Sequence, residues 1–217
     1  MSGYLLAVLA GYLLGSLPTG YWMGLAKGVD IRKVGSGNIG ATNVFRILGK
    51  PAGVFVLLGD AAKGVLACFA GPWAAAWIST ASADPELASR HALAGGLAAI
   101  LGHNYTFWLN FKGGKGVATT AGVLGALITP VFLAALGIFA VVFALSRFVS
   151  LASICAAAAL PLLAWLMNRG WGWTAILAAI GGLAIYKHRG NIQRLLNGTE
   201  NRFGSKKTEA ATPEVRP

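Results

Sequence analysis

Hydrophobic length constrains this chain first. Residues 3–25 form an apolar run long enough to span a bilayer, and further runs occupy 51–78, 91–109, 117–145, 150–167 and 171–187. With 56% hydrophobic and 12% charged residues among 217, the chain reads as an all-α, polytopic membrane protein. Its 30 glycines suit close helix packing in lipid, where small residues let backbones approach. A net charge of +11 then has to lie in loops and tail, which points to anionic partners: lipid headgroups, phosphorylated substrates, or both. Nucleic acid fits less well, because no basic run is interleaved with exposed aromatics.

Charge orders the spans. Met1-Ser2-Gly3-Tyr4 has no basic stretch of the signal-peptide kind, and Lys27, Arg32 and Lys33 follow the first run. The positive-inside rule therefore places the amino terminus outside and the segment after residue 26 in the cytoplasm. Residues 79–90 read as an external polar turn. The run 117–145 is either one long span or two broken at Pro130. One span would leave Lys187, Arg189, Arg194, Arg202, Lys206 and Lys207 outside; two put them inside with Arg147. The expectation is thus seven transmembrane helices, amino end out and carboxyl end in. Residues 1–203 form one transmembrane domain, and 204–217 a disordered polar tail.

This topology puts four polar clusters on the cytoplasmic face. The first, Gly35-Ser36-Gly37-Asn38-Ile39-Gly40-Ala41-Thr42-Asn43-Val44-Phe45-Arg46, is a glycine- and amide-rich loop. Its glycines allow positive φ and close backbone approach, its N–H groups can form an anion-binding concavity, and Arg46 carries a fork matched to phosphate. The second, Lys112-Gly113-Gly114-Lys115-Gly116, opens into a helix start, where free N–H groups meet the positive dipole end. Its lysines could equally be juxtamembrane anchors. The third holds Ser146, Arg147 and Ser150; the fourth runs from Lys187 to Arg202 and holds His188 and Asn191. Acids are sparse there, and neither Asp30 nor Glu200 is paired with another carboxylate, which argues against two-carboxylate hydrolysis and against a carboxylate-bound divalent metal. His91, His103 and His188 have no metal-ligand spacing, and no nucleophile-elbow or Walker pattern occurs. Asp60 and Lys63, one turn apart within a span, are either a structural ion pair or part of a functional cavity.

Four segments together resemble a known family: 35–46; Gly-His-Asn-Tyr (102–105) with Phe-Lys-Gly-Gly-Lys-Gly-Val-Ala-Thr (111–119); Arg-Phe-Val-Ser-Leu-Ala-Ser (147–153); and His-Arg-Gly-Asn-Ile-Gln-Arg-Leu-Leu-Asn-Gly-Thr-Glu (188–200). In this order, over about residues 4–203, they are similar to the bacterial acyl-phosphate-dependent glycerol-3-phosphate acyltransferases (the PlsY family). Phe148 departs from the tyrosine of many members. The His-x4-Asp pair of the other acyltransferase superfamily is absent, since Gly96, Trp108 and Gln193 stand where its acid would.

The resemblance implies a seven-helix protein of the bacterial inner membrane with a cytoplasm-facing site and no metal or organic cofactor. The implied reaction moves an acyl group from a long-chain acyl phosphate to the 1-hydroxyl of glycerol 3-phosphate, giving lysophosphatidic acid and inorganic phosphate. Ser36, Asn38, Thr42, Asn43 and Arg46 are then expected at one phosphate, with Lys112 and Lys115 neutralising the other, and Gly114 among the phosphate contacts. Ser150 would hydrogen-bond near the reacting centre, and His188 with Asn191 would orient the attacking hydroxyl. The proton acceptor is His188 or a substrate phosphate oxygen. A transporter for an organic phosphate or anionic lipid is the competing class.

Overall fold

The computed structural model describes residues 1–77 and 84–204, so part of the polar turn at 79–90 and the tail from 205 on lie outside the described residues. The described residues form ten α-helices and one short 3-10 turn, with no strand among them. The α-helices are α1 (Ser2–Ser16), α2 (Thr19–Ala26), α3 (Ala41–Leu48), α4 (Lys50–Ala76), α5 (Pro85–Asn104), α6 (Val117–Leu127), α7 (Thr129–Ser146), α8 (Val149–Leu166), α9 (Gly170–Lys187) and α10 (Arg189–Leu196). Four stretches are long and apolar enough to cross a membrane: Ser2–Ala26, α4, α7 and α8.

Two differences from the sequence reading have simple causes. The first run is not one helix, because Pro18 lacks an N–H and interrupts the ladder between α1 and α2. The second half of the 35–46 stretch is helical rather than loop. Val44 is fully buried there, while Ile47 and Leu48 pack beside it against Val56 of α4, so an apolar face pulls the segment into a helix. The expected break near Pro130 falls at Ile128, with the proline in the first turn of α7, where its missing N–H costs nothing.

Glycine contacts fix the α1–α4–α5 layer. A Cβ on Gly11 would lie 2.1 Å from the Gly95 carbonyl oxygen, and one on Gly15 would lie 2.1 Å from that of Ala99. On the other side of α5, a Cβ on Gly71 of α4 would sit 2.6 Å from the His91 carbonyl oxygen. Without side chains at these positions the backbones close to van der Waals contact, which replaces the hydrophobic drive that lipid removes. A second apolar core joins α6, α7, α8 and α9 around Leu124, Val131, Leu160 and Leu177. Residues of the segments 36–46, 115–118, 149–153 and 188–200 meet at one cavity.

Gly15→Val is expected to lower the thermal midpoint in detergent, since overpacking costs roughly 1–3 kcal/mol. Gly137→Ala, on α7 with nothing within 4 Å of the added carbon, should leave the midpoint unchanged or raised. Equal melting of Gly15→Val and the parent would contradict this packing.

Candidate active site

The first polar cluster is shaped by one amide. Asn43 is 2% exposed; its Nδ2 donates to the carbonyls of Ile31 (3.1 Å), Val34 (3.1 Å) and Asn38 (2.9 Å), and its Oδ1 accepts from the Ser36 N–H at 2.9 Å. Gly35, at φ +62°, passes so close that a Cβ would stand 2.3 Å from that same Oδ1. The Asn38 side chain accepts from the Gly40 N–H at 2.8 Å. Asn43 thus folds the cradle with its own amide committed, while Ser36, Thr42 and Arg46 face the space beside it.

That space is a cavity of about 150 Å³. Ser36, Asn38, Thr42, Asn43 and Arg46 line it together with Lys115, Ser150, His188 and Asn191. Segments far apart in sequence therefore share one wall. Lys112 and Gly114, both expected at a phosphate, do not line it. Lys112 is exposed, and Gly114 lies against the His103 imidazole, where a Cβ would meet Nε2 at 2.1 Å. Three helices begin at the cavity: Ala41 of α3, Val117 of α6 and Val149 of α8 all line it. Their first-turn N–H groups have no intrahelical partner and carry the positive ends of the helix dipoles. The arrangement is suited to anions.

Glu200 sits among these cations and was not expected there. Its side chain is 3% exposed. Oε1 accepts from Ser150 Oγ (2.8 Å) and Asn191 Nδ2 (2.7 Å), and Oε2 accepts from Arg194 Nε (2.7 Å). Burial would raise this carboxyl, but the bonds from Asn191, Ser150 and Arg194 outweigh it and hold the group below the usual carboxylate range. Asn191 Oδ1 in turn accepts from the Lys115 ammonium. Residues 197–204 carry Glu200 across the mouth as a strap. The Asn201 carbonyl accepts from Arg46 at 3.2 Å, the Phe203 N–H donates to the Arg147 carbonyl at 2.8 Å, and the Phe203 ring packs on Phe45 and Phe143. A lone acid in a basic tail gives no spacing signal. The hints are its place within the fourth cluster and at the end of the 188–200 segment.

Lys115 and His188 also have displaced protonation equilibria. Burial, more than any neighbour, brings Lys115 down to about 8; Glu200 acts against this, while Arg194, Arg46 and Lys187 add to it. Burial and then the nearby Lys115 charge push His188 down to about 4. His188 is neutral at pH 7, and its Nδ1 lies 2.7 Å from the Ala184 carbonyl. That geometry assigns the proton to Nδ1 and leaves the Nε2 lone pair free.

The cavity floor includes Asp60 and His103. Lys63 lies behind them, with Nζ 2.9 Å from Asp60 Oδ1 and donating to the Leu17 carbonyl at 2.8 Å beside the Pro18 break. Thr19 also donates to Asp60, and His103 Nδ1 stands 3.6 Å away. Asp60 and Lys63 so tie α2 and α4 beneath the cavity as a charge-compensated pair, and Asp60 also reaches the wall. An apolar groove continues from the polar cavity, with which it shares Leu57, Val117, Ala118, Phe139 and Ser153.

A profile of the family described as glycerol-3-phosphate acyltransferase matches residues 5–198. A glycerol-3-phosphate acyltransferase from Synechococcus sp. (strain JA-3-3Ab) is 45% identical over 208 residues, covering 93% of this chain and 94% of the relative. The protein of the same name from Geotalea daltonii is 45% identical over 210 residues, covering 94% and 99%. The fold is similar to crystal structures of PlsY, an integral membrane glycerol 3-phosphate acyltransferase. Its glycerol 3-phosphate form gives a TM-score of 0.80 at 41% identity, over 93% of this chain and 96% of that one. Its lysophosphatidic acid form gives 0.77 at 40%, over 93% and 95%.

An anion held by cationic Lys115 should bind with an alkaline limb. As pH rises through about 8 the ammonium loses its proton, so affinity for inorganic phosphate or glycerol 3-phosphate should fall. Lys115→Arg stays charged and should bind without that limb. A limb persisting in Lys115→Arg would refute the assignment, as would a parent protein that shows none.

Proposed function

The chain belongs to the glycerol-3-phosphate acyltransferase family, and from that premise we propose that its acyl donor is a long-chain acyl phosphate. The acyl group passes to the 1-hydroxyl of glycerol 3-phosphate, and the products are 1-acylglycerol 3-phosphate and inorganic phosphate. One observation carries this reading: a polar cavity ringed by helix N-termini and cations runs directly into an apolar groove. A molecule with a phosphate head and an acyl tail fits that junction, and a second phosphate fits beside it. The chain is also read as seven spans with the carboxyl end in the cytoplasm of a bacterial inner membrane. The cations and helix starts gathered around one cavity support a cytoplasm-facing site.

The hydroxyl oxygen attacks the acyl carbon, the carbon–oxygen bond to phosphate breaks, and phosphate leaves with the electron pair. The donor is already activated, so no covalent enzyme intermediate is required. Holding both substrates in reacting geometry supplies roughly 7–11 kcal/mol of the barrier reduction. Donors at the developing oxyanion and departing phosphate supply more. Arg46, Ser36 and Thr42 hold one phosphate and Lys115 the other; Lys112, which does not line the cavity, takes no part. Ser150 sits near the reacting centre, fixed by Glu200.

His188, with Asn191, orients the attacking hydroxyl through its free Nε2. The hydroxyl proton goes to that nitrogen or to a substrate phosphate oxygen. The low proton affinity of His188 favours the second route.

Purified protein given acyl phosphate and glycerol 3-phosphate should release phosphate only when both are present. Turnover with acyl-CoA in place of acyl phosphate would overturn the donor, and vectorial uptake without release would indicate a carrier. His188→Gln should lower turnover. If His188 is the base, the parent loses kcat/KM below pH about 4 and the variant lacks that limb. An unchanged pH profile assigns the proton to the substrate.

A further inference from the structure

The groove next to the cavity has an end, and its end is built differently from its sides. Helix register orders its lining by depth. On α8 the sequence from the neck is Ser153, then Ala156 and Ala157, then Leu160; on α6 it is Ala118, Ala121, Leu124. On α9 it rises from Ala184 to Ile180, and on α7 from Phe139 through Ala135 to Phe132. Alanines and Leu136 flank the middle, and four large apolar side chains stand at the far level. Leu124, Leu160 and Ile180 there are all buried, members of the same core cluster, with Phe132 packed against it. The groove therefore ends on packed side chains rather than opening through the fold. From Ser153 to Leu160 is seven residues, a depth of about 10 Å at 1.5 Å per residue.

We propose that Leu160, with Leu124, Phe132 and Ile180, is a stop that sets the acyl-chain length this protein prefers, and that Ala156 and Ala157 set the bore leading to it. The occupant is the acyl chain of the donor and of the product, because the groove is continuous with the cavity where the phosphates sit. This deepens the reading of the site as an acyltransferase and rests on it. It does not rest on which activated donor is used, because the same chain emerges on the product.

A chain shorter than the groove leaves apolar wall exposed, and each added methylene covers more of it. Burying one contributes about 0.8 kcal/mol, or roughly a fourfold gain in affinity. Beyond the stop the next methylene has to displace packed side chains or turn aside, and the gain ceases. Preference is thus a break in a slope.

The test is the affinity of saturated 1-acylglycerol 3-phosphates of increasing chain length for the full-length protein in nanodiscs, corrected for partition into empty discs. The parent should gain roughly fourfold per methylene up to one length and then level off or weaken. Leu160→Ala should move that break to longer chains. Ala156→Leu, which adds bulk at a half-buried wall position, should move it to shorter ones. If Leu160→Ala fails to fold, Ala156→Leu decides alone. A parent slope without a break overturns the stop, as does a break that a folded Ala156→Leu leaves in place. Turnover with acyl-CoA but not acyl phosphate would overturn the donor and leave this result standing.

Discussion

A single buried carboxylate holds this site together. Glu200 takes hydrogen bonds from Ser150 on α8 and from Asn191 and Arg194 on α10, and through Asn191 it fixes Lys115 at the start of α6. Without an anion at that point, Lys115, Arg46 and Arg194 would face one another across a small volume with only water between them. Like charges so placed repel, and dispersed cations do not make a pocket. Glu200 compensates them and fixes the Asn191 amide by its Nδ2, leaving Oδ1 turned to Lys115. The strap that delivers it is tied to Arg46 and Arg147, so the closing segment and the gripping residues form one unit.

Beneath this polar end the two helix layers have different work. The α1–α4–α5 layer is close-packed through glycines and carries the compensated Asp60–Lys63 pair, which makes it a rigid floor. The α6–α9 layer has larger side chains at its core and alanines along the groove. It leaves room for a chain along the groove.

Much of this architecture is legible in residue order. The apolar runs and Pro130 locate the helix break near 128, whereas the break at Pro18 falls inside a run that reads as a single span; glycine beside amide marks the 35–40 cradle. Ser150, His188, Asn191 and Lys115 share a cavity as the clustering of polar segments suggests. Three things are hidden. The α3 helix is masked because its start is as polar and glycine-flanked as a loop, and its apolar face shows only against α4. Asn43 reads as a phosphate ligand by type, yet its amide is spent on four backbone groups, which only the folded turn reveals. Glu200 looks like a stray acid, because its role depends on Ser150, fifty residues upstream, and on a strap with no periodic pattern. Residue type reports what a side chain can do; commitment to a neighbour is decided in three dimensions.

The central claim, that Glu200 gathers the cationic site, is tested most directly by glycerol 3-phosphate affinity in Glu200→Gln, measured by calorimetry at pH 7 with folding verified by thermal melting. Removing a negative charge from among cations would by simple attraction tighten binding of an anion. Loss of the gathering interaction should instead weaken it, by roughly tenfold or more, the equivalent of about 1.4 kcal/mol. Unchanged or tighter binding in a folded variant would contradict the account.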